Sequence, residues 1–535
     1  MNRLCALAVV LFLLAVPASL VCGQETSSPQ PVAVEVVQPA PAFSPTDVVA
    51  VVVYIMIIAF LGYLGFRHSR TAEGYLIAGR NTHPVIMALS YGSTFISTSA
   101  IIGFSGMAGK VGMSILWLVF LNIFVGIFLA FVVFGGPTRR MGHCLGAHTF
   151  PELLGKRYDS RFIQTAAGLV IFFFMPMYAA ATLLGGVKFL SVQFNMDIST
   201  GILIFAVIVA VYVLFGGLKG VMYTDAFQGA LMFGGMLIMI YYGYAAAGGF
   251  LNAHDSLTAL AAEVPEAARA QGVVGYTVMP VFGSGTWYLL ITSLTLGVGI
   301  GVIAQPQLAV RFMTVRSKKE LNRAVGIGGL FILIVTGGAY VVGALSNVYF
   351  YNKYNSLATE YVAGGDIERI LPTFIKEAMP SWFPLVFFLV LLSAAMSTLS
   401  SQFHTMGAAL GRDVYERGVR RKVAADVWTR LVTQAGVAVG IVVTIVIAFK
   451  YADVKGGIIA KSTALFFALC ASTFMPAYLL GLFWRRMNRA AAIASVCFGF
   501  VFTAFWLTFM QASTASALSL CARISGSAPL LSPSS

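Results

Sequence analysis

The chain has 535 residues, of which 59% are hydrophobic and only 10% charged, with a mean hydropathy of +0.86 and a formal net charge of +14. A soluble globular chain carries about 25% charged residues, so this composition excludes an ordinary soluble domain and indicates an integral membrane protein. Six cysteines stand apart at 5, 22, 144, 470, 497 and 521 with no C-x-x-C, which argues against a disulfide framework or a zinc site. No Walker A sequence is present, so ATP is not the evident energy source.

In chain order, residues 1–23 combine one arginine, a short apolar stretch broken by Pro17 and small residues before Gln24. That pattern predicts a cleavable signal peptide; an uncleaved extra helix is the alternative. Residues 24–45 form a Pro-rich polar tail with little apolar surface to bury, and its place predicts an extracellular or periplasmic mature N-terminus. The region 46–510 then carries runs of about twenty apolar residues, each able to cross a bilayer. Twelve spans are predicted at 46–66, 85–108, 111–134, 162–187, 199–216, 225–248, 286–305, 324–348, 383–410, 430–449, 456–484 and 490–510. The fold class is therefore an all-α multi-pass membrane protein. The tail 511–535 is expected to be disordered and to end outside.

Charge supports this threading. The connections placed inside hold 23 of the 34 Lys and Arg, Arg311 and Arg412 among them, as the positive-inside rule requires. The +14 charge then reflects topology, and nucleic acid is not an expected partner. The outer connections 249–285 and 349–382 are the longest, and DIERILPTFIKEAMPSW (366–382) could form an amphipathic surface helix. Such a helix could act as a lid or be a spacer at the interface.

Polar residues inside the spans need a reason, because burying them in hydrocarbon is costly. Asp225 opens the sixth predicted span and reads equally as a helix N-cap or as a binding group. His404 reads as a packing residue, and Lys461 as a side chain snorkelling to the outer surface. No arginine is read in mid-membrane. The second span, ALSYGSTFISTSAIIGFSGMAG, crowds Ser93, Thr94, Ser97, Thr98 and Ser99 between glycines. The ninth carries SAAMSTLSS, in which Ser393, Ser397, Ser400 and Ser401 share one helical face with Thr398 at its edge. Small and hydroxyl residues serve close helix packing, but they also suit interrupted helices whose freed carbonyls bind a small cation. Two such helices and one intramembrane acid shift the balance toward an ion site. Neutral oxygens suit a hard alkali cation that must be released again.

Five stretches in order carry a resemblance: GYLIAGRNTHPVIMALS (74–90), GGLKGVMYTDAFQG (216–229), QPQLAVRFMTVRSKKELNRA (305–324), LSAAMSTLSSQF with GRDVY (392–403, 411–415) and FMPAYLLGLFWRRMNRAA (474–491). Together they resemble the sodium:solute symporter family. The resemblance implies a LeuT-type core of ten helices in two inverted repeats of five, with broken helices at spans two and seven. It implies sodium held by the carbonyls of Ser93, Ile96 and Ala394 and the hydroxyls of Ser397 and Thr398. It also implies, for some members, a second sodium, here at Asp225, Ser397, Ser400 and Ser401. Ser393 is left to bond back to its own helix. Thr98, Ser99, Asn122, Gln305 and Thr463 are candidates for the solute pocket. Proline-transporting members have an acid where Phe95 stands and a tryptophan where Ser99 stands, and sugar carriers a glutamine where Ala100 stands. An amino acid or small carboxylate is therefore the expected solute, taken up with one or two sodium ions and no organic cofactor across the cell membrane. A proton-coupled carrier using Asp225 or His404, or a membrane sensor, is the alternative. No HExxH or nucleophile–base pair points to an enzyme.

Overall fold

The structure, a computed structural model, describes residues 45–67, 82–215, 218–315, 317–420, 426–454 and 457–506. The expected signal peptide, the N-terminal tail, the GYLIAGR stretch and the C-terminal tail lie outside the described residues. Among the described residues nine helices are long and apolar enough to cross a membrane, and Ile198–Ala210 and Arg489–Phe505 are shorter apolar helices. One of the nine, Ser99–Cys144, holds the end of the second expected span and the whole of the third. Its chain turns at Gly112, where φ is +70° and a Cβ would stand 2.0 Å from the Tyr276 carbonyl oxygen. Only glycine tolerates both the angle and the approach.

Both expected breaks are present. Pro84 starts the helix Pro84–Phe95, with fixed φ and no orphan N–H to satisfy, and the His83 side chain caps it. That helix stops at Ile96, whose φ of −91° and ψ of 99° are extended, and helical structure resumes in wide π-type turns at Ser99–Gly103. In the seventh span the helix interrupts at Gln305 (φ −68°, ψ 118°), and Pro306 opens the half-helix Pro306–Phe312. A proline at that point cannot donate to the preceding turn, which fixes where the interruption falls.

Around these half-helices pack Arg161–Gln193, Leu218–Ala246, Phe383–Ala408 and Ile458–Phe483. Asp225 is not an N-cap: it lies inside Leu218–Ala246 and is fully buried. Ser393 does not merely bond to its own helix either. The Tyr54 hydroxyl lies 3.0 Å from its Oγ, tying Pro45–Arg67 to Phe383–Ala408.

The amphipathic helix expected in 366–382 forms at Ile370–Ala378, with Lys376 exposed and its apolar face packed against the spans. Ile367–Arg369 and Ile370–Ala378 are wedged among the spans, with Ile367, Glu368, Ile370, Leu371, Phe374 and Ile375 buried. The Ile367 carbonyl oxygen sits so close to Gly106 that a Cβ there would be 2.3 Å away. Lys188 holds the segment by ion pairs to Asp366 at 2.6 Å and Glu368 at 3.8 Å, and the Ile459 N–H donates to Glu368 at 2.8 Å. Burial, and then repulsion from Asp366, push the Glu368 carboxyl up to about 7 against the opposing pull of Lys188, the Ile459 N–H and Lys461.

At the opposite end Glu152 gathers positive charge. Arg412 donates to both carboxylate oxygens at 2.8 and 3.1 Å, Lys156 lies 2.9 Å away, and the His148 N–H donates at 2.9 Å. Burial raises this carboxyl, but hydrogen bonds from His148, Arg412 and Lys156 outweigh it and hold Glu152 well below the usual carboxylate range. The neighbouring Asp413 of GRDVY accepts from Thr149 at 2.8 Å and Gln164 at 2.7 Å. These contacts lock Phe150–Arg157 and Arg161–Gln193 onto the end of the ninth span.

Candidate functional site

The hydroxyl face of Phe383–Ala408 meets the break after Phe95. Ser397 Oγ donates to the Ser93 carbonyl at 2.9 Å and lies 3.2 Å from that of Ala394. Thr398 Oγ1 reaches the Thr94 carbonyl at 3.1 Å and the Ser93 carbonyl at 3.5 Å. Ser93, Ala394, Ser397 and Thr398 are thus assembled into one fully buried oxygen cluster. Ile96 stands at the break itself, where its N–H bonds back to Gly92. A hydroxyl that donates to a carbonyl here can turn its lone pairs toward a cation instead, and the carbonyls then become further ligands. The donor set is all oxygen and uncharged, which suits an alkali ion and not a transition metal.

The second expected set is arranged differently. Ser400 Oγ turns back to the Ser397 carbonyl at 3.2 Å, away from Asp225. Asp225 Oδ2 accepts from Ser90 at 2.9 Å, from Thr94 at 3.2 Å and from Arg311 Nη2 at 2.8 Å. The same Nη2 donates to Ser401 Oγ at 2.8 Å and to Thr94 Oγ1 at 2.5 Å. Arg311 is 1% exposed, so it is a buried partner of the intramembrane acid and not a charge of the inner connection. A signal was present in the sequence: Arg311 is the sole charge in PQLAVRF, the apolar turn that follows the predicted break.

Next to the first break lies a small cavity of about 20 Å³. Rings of Phe95, Phe104, Tyr178, Tyr340 and Phe467 form much of its wall, with polar atoms from Ser97, Asn122, Thr336 and Thr463. Its lining holds no acidic or basic side chain. Asn122 Oδ1 is buried there with no hydrogen-bond partner among the described residues. Of the five pocket candidates, Asn122 and Thr463 line this cavity. Thr98 instead donates to the Thr182 carbonyl, Ser99 pairs with Ser97 at 2.5 Å, and Gln305 accepts from Gln307 at 3.0 Å. The aromatic wall went unread because each ring belongs to a different helix, where it looks like ordinary core.

A second small cavity, of about 30 Å³, is lined by Arg311, Ser401, His148, Gln307, His404 and Asp413. His404 is buried, as a packing residue would be, and also lines this cavity. Lys461 is exposed, as snorkelling requires.

A model described as the sodium:solute symporter family matches residues 75–499. The osmoregulated proline transporter of Bacillus subtilis is 25% identical over 464 residues, covering 86% of this chain and 88% of that protein. The high-affinity proline transporter of the same organism is 29% identical over 455 residues, covering 83% and 89%. A sodium/proline symporter of Staphylococcus aureus is 27% identical over 472 residues, 86% of each. Among solved structures, a Na+-coupled sialic acid symporter in a substrate-bound outward-open state superposes with a TM-score of 0.70 at 19% identity, covering 89% of this chain and 96% of that one. That likeness establishes the fold.

Proposed function

The chain belongs to the sodium:solute symporter family, and we propose that it takes up a small amino acid, proline or a near relative, by sodium-driven alternating access. The observation that carries this reading is the oxygen cluster of Ser93, Ala394, Ser397 and Thr398 at the break beside the aromatic cavity. Sodium bound between the first broken helix and Phe383–Ala408 would join two elements that must move apart for the ion to leave, so ion binding selects one state of the carrier. The uncharged wall of the cavity suits a compact, net-neutral solute. A zwitterion fits without a counter-charge, because broken helix ends offer carbonyls to an ammonium and N–H groups to a carboxylate. The kinship with proline carriers favours proline's class, whereas Phe95 and Ser99 depart from that branch and leave room for a neighbouring amino acid.

In this reading the chain makes twelve crossings of the cell membrane as two inverted repeats of five core helices and two flanking ones. The breaks at Ile96 and Gln305 open the repeats, and the mature N-terminus lies outside. On this topology the connection that carries the wedge 366–378 belongs to the outer side and the cavity at Arg311 to the inner side; the burial of the wedge among the spans supports a role as outer lid.

The experiment offers labelled amino acids and monocarboxylates to proteoliposomes with and without an inward sodium gradient. Ser397→Ala and Thr398→Ala each remove an oxygen worth about 1.5–3 kcal/mol to a charge, so half-saturating sodium should rise roughly 10- to 150-fold. Sodium dependence unchanged in both variants would sink the assignment.

A further inference from the structure

We propose that the inner ends of the fourth, eleventh and twelfth spans form a binding site for an anionic phospholipid, whose headgroup phosphate is held by Arg161, Arg485, Arg486 and Arg489. The inference goes beyond the transport reading and takes from it only which side is the inner one.

The connection between Ile458–Phe483 and Arg489–Phe505 is the tight turn WRRMN (484–488), closed by the Met487 N–H donating to the Trp484 carbonyl at 3.2 Å. Arg157 fixes this turn from the side. Its Nε donates to the Gly481 carbonyl at 2.8 Å and its Nη2 to the Trp484 carbonyl at 3.3 Å, while the Tyr158 hydroxyl donates to the Ala477 carbonyl at 2.6 Å. The turn is thereby held against the start of Arg161–Gln193. Near the middle of that helix the Phe174 ring meets the Phe500 ring of Arg489–Phe505 at 5.6 Å. At 1.5 Å per residue, Arg161 and Arg489 lie about 20 and 17 Å below this contact. They therefore open adjoining helices at one level, at headgroup depth for a hydrocarbon core about 30 Å thick.

All four arginines are exposed, and none of their side chains makes an ion pair or hydrogen bond among the described residues. Asp159, the acid of the adjoining turn, pairs with none of them, and Glu152 is taken by Arg412 and Lys156. Phe483 and Trp484, 49% and 52% exposed, stand at the same edge, where amphipathic rings favour the boundary between headgroup and acyl chain. Guanidinium groups match phosphate oxygens with paired donors, and basic pockets between spans on the inner side suit anionic headgroups. The aromatic rim and the continuity with the bilayer favour a lipid phosphate over a free one. A phosphate bridging Arg161 to the turn would tie the fourth span to the twelfth.

The test titrates radiolabelled phosphatidylglycerol onto the purified full chain in neutral detergent at fixed salt, and it needs neither the solute nor sodium. Binding to the native chain should be saturable and displaced by unlabelled phosphatidylglycerol. It should resist phosphatidylcholine, which has the phosphate but no net charge, and inorganic phosphate at equal concentration. Loss of one arginine, as in Arg161→Gln, should weaken binding about fivefold, and Arg485→Gln with Arg486→Gln about 30-fold. Lys318→Gln with Lys319→Gln removes the same charge from another exposed inner position and should leave binding unchanged. Absence of saturable binding, displacement by inorganic phosphate, or an equal loss in the two double variants would overturn the proposal. The displacement series on the native chain decides even where a variant fails to fold. Failure of sodium-driven uptake would leave this result standing, so the two readings fall separately.

Discussion

Replacing Gly106 by alanine should hold the outer side of the carrier open. The new Cβ would lie 2.3 Å from the Ile367 carbonyl oxygen, 2.9 Å from its carbon and 3.4 Å from the Glu368 nitrogen. All three are backbone atoms, so no side chain can swing away. The backbone itself is pinned by the Lys188–Asp366 pair and by the Ile459 N–H bond to Glu368. Relief therefore requires the wedge 366–369 to lift by about an ångström. Overpacking of this kind costs roughly 1–3 kcal/mol, which falls on the closed state alone. At about 1.4 kcal/mol per decade, the closed-to-open ratio should drop about 5- to 150-fold. The assay is labelling of Thr463→Cys, in the cavity wall, by a membrane-impermeant thiol reagent applied from outside, with the six native cysteines replaced by serine. Labelling should accelerate by that factor and solute uptake should fall. Gly326→Ala is the control, since a Cβ there meets nothing within 4 Å. A labelling rate in Gly106→Ala no faster than in the control would refute the reasoning.

Closure of the wedge should also depend on pH through Glu368. Its buried carboxyl is pushed up to about 7, and an open wedge would return it to an ordinary carboxylate. The closed state thus binds the proton more tightly, so closure is favoured in acid, weakens as pH rises from about 4.5 to about 7, and loses this contribution above that. The span corresponds to an effect on the order of 3 kcal/mol, set against Lys188, Asp366 and Lys461, the charged groups that face it. The Thr463→Cys labelling rate, divided at each pH by that of the same cysteine in Glu368→Gln to cancel the thiolate's own pH dependence, should therefore rise across that window; a ratio that stays flat would exclude Glu368. At the opposite end, the lowered Glu152 carboxyl contributes stability that is full above about pH 4.5 and lost as pH falls toward its folded value. The thermal midpoint should decline below pH 4.5, and Glu152→Gln should be less stable at neutral pH by about 1–3 kcal/mol with a flatter acid limb. In the cavity, Asn122→Leu should raise the KM for solute without changing half-saturating sodium, because Asn122 lines the solute wall and not the oxygen cluster. Parallel shifts in both would place Asn122 in the ion site.

The sequence alone determined the membrane-spanning class, the positions of most spans and the first interruption, because these follow from local chemistry. Apolar run length, proline's missing donor and glycine–hydroxyl clustering act within a few residues of the chain. The glycine–hydroxyl run around Ile96 marked the first break from the residues themselves, whereas the second, at Gln305, was expected in span seven only through the family resemblance. The pairing of SAAMSTLSS with the second span was legible through the family resemblance, and Ser397 and Thr398 do meet the Ser93 and Thr94 carbonyls.

What only the tertiary structure decided are the contacts between distant segments. Arg311 reads in sequence as one more inner arginine, and its burial against Asp225, 86 residues away, depends on how the second half-helix docks. Ser400 and Ser401 are neighbours on one face, yet one turns to its own backbone and the other to Arg311, a choice set by the helix opposite. The segment 366–378 has the pattern of a surface helix but is wedged among spans because Gly106 lets its backbone approach and Lys188 meets its acids. Residue pattern fixes what each helix can bury. Which partner it buries it against is a property of the packed whole.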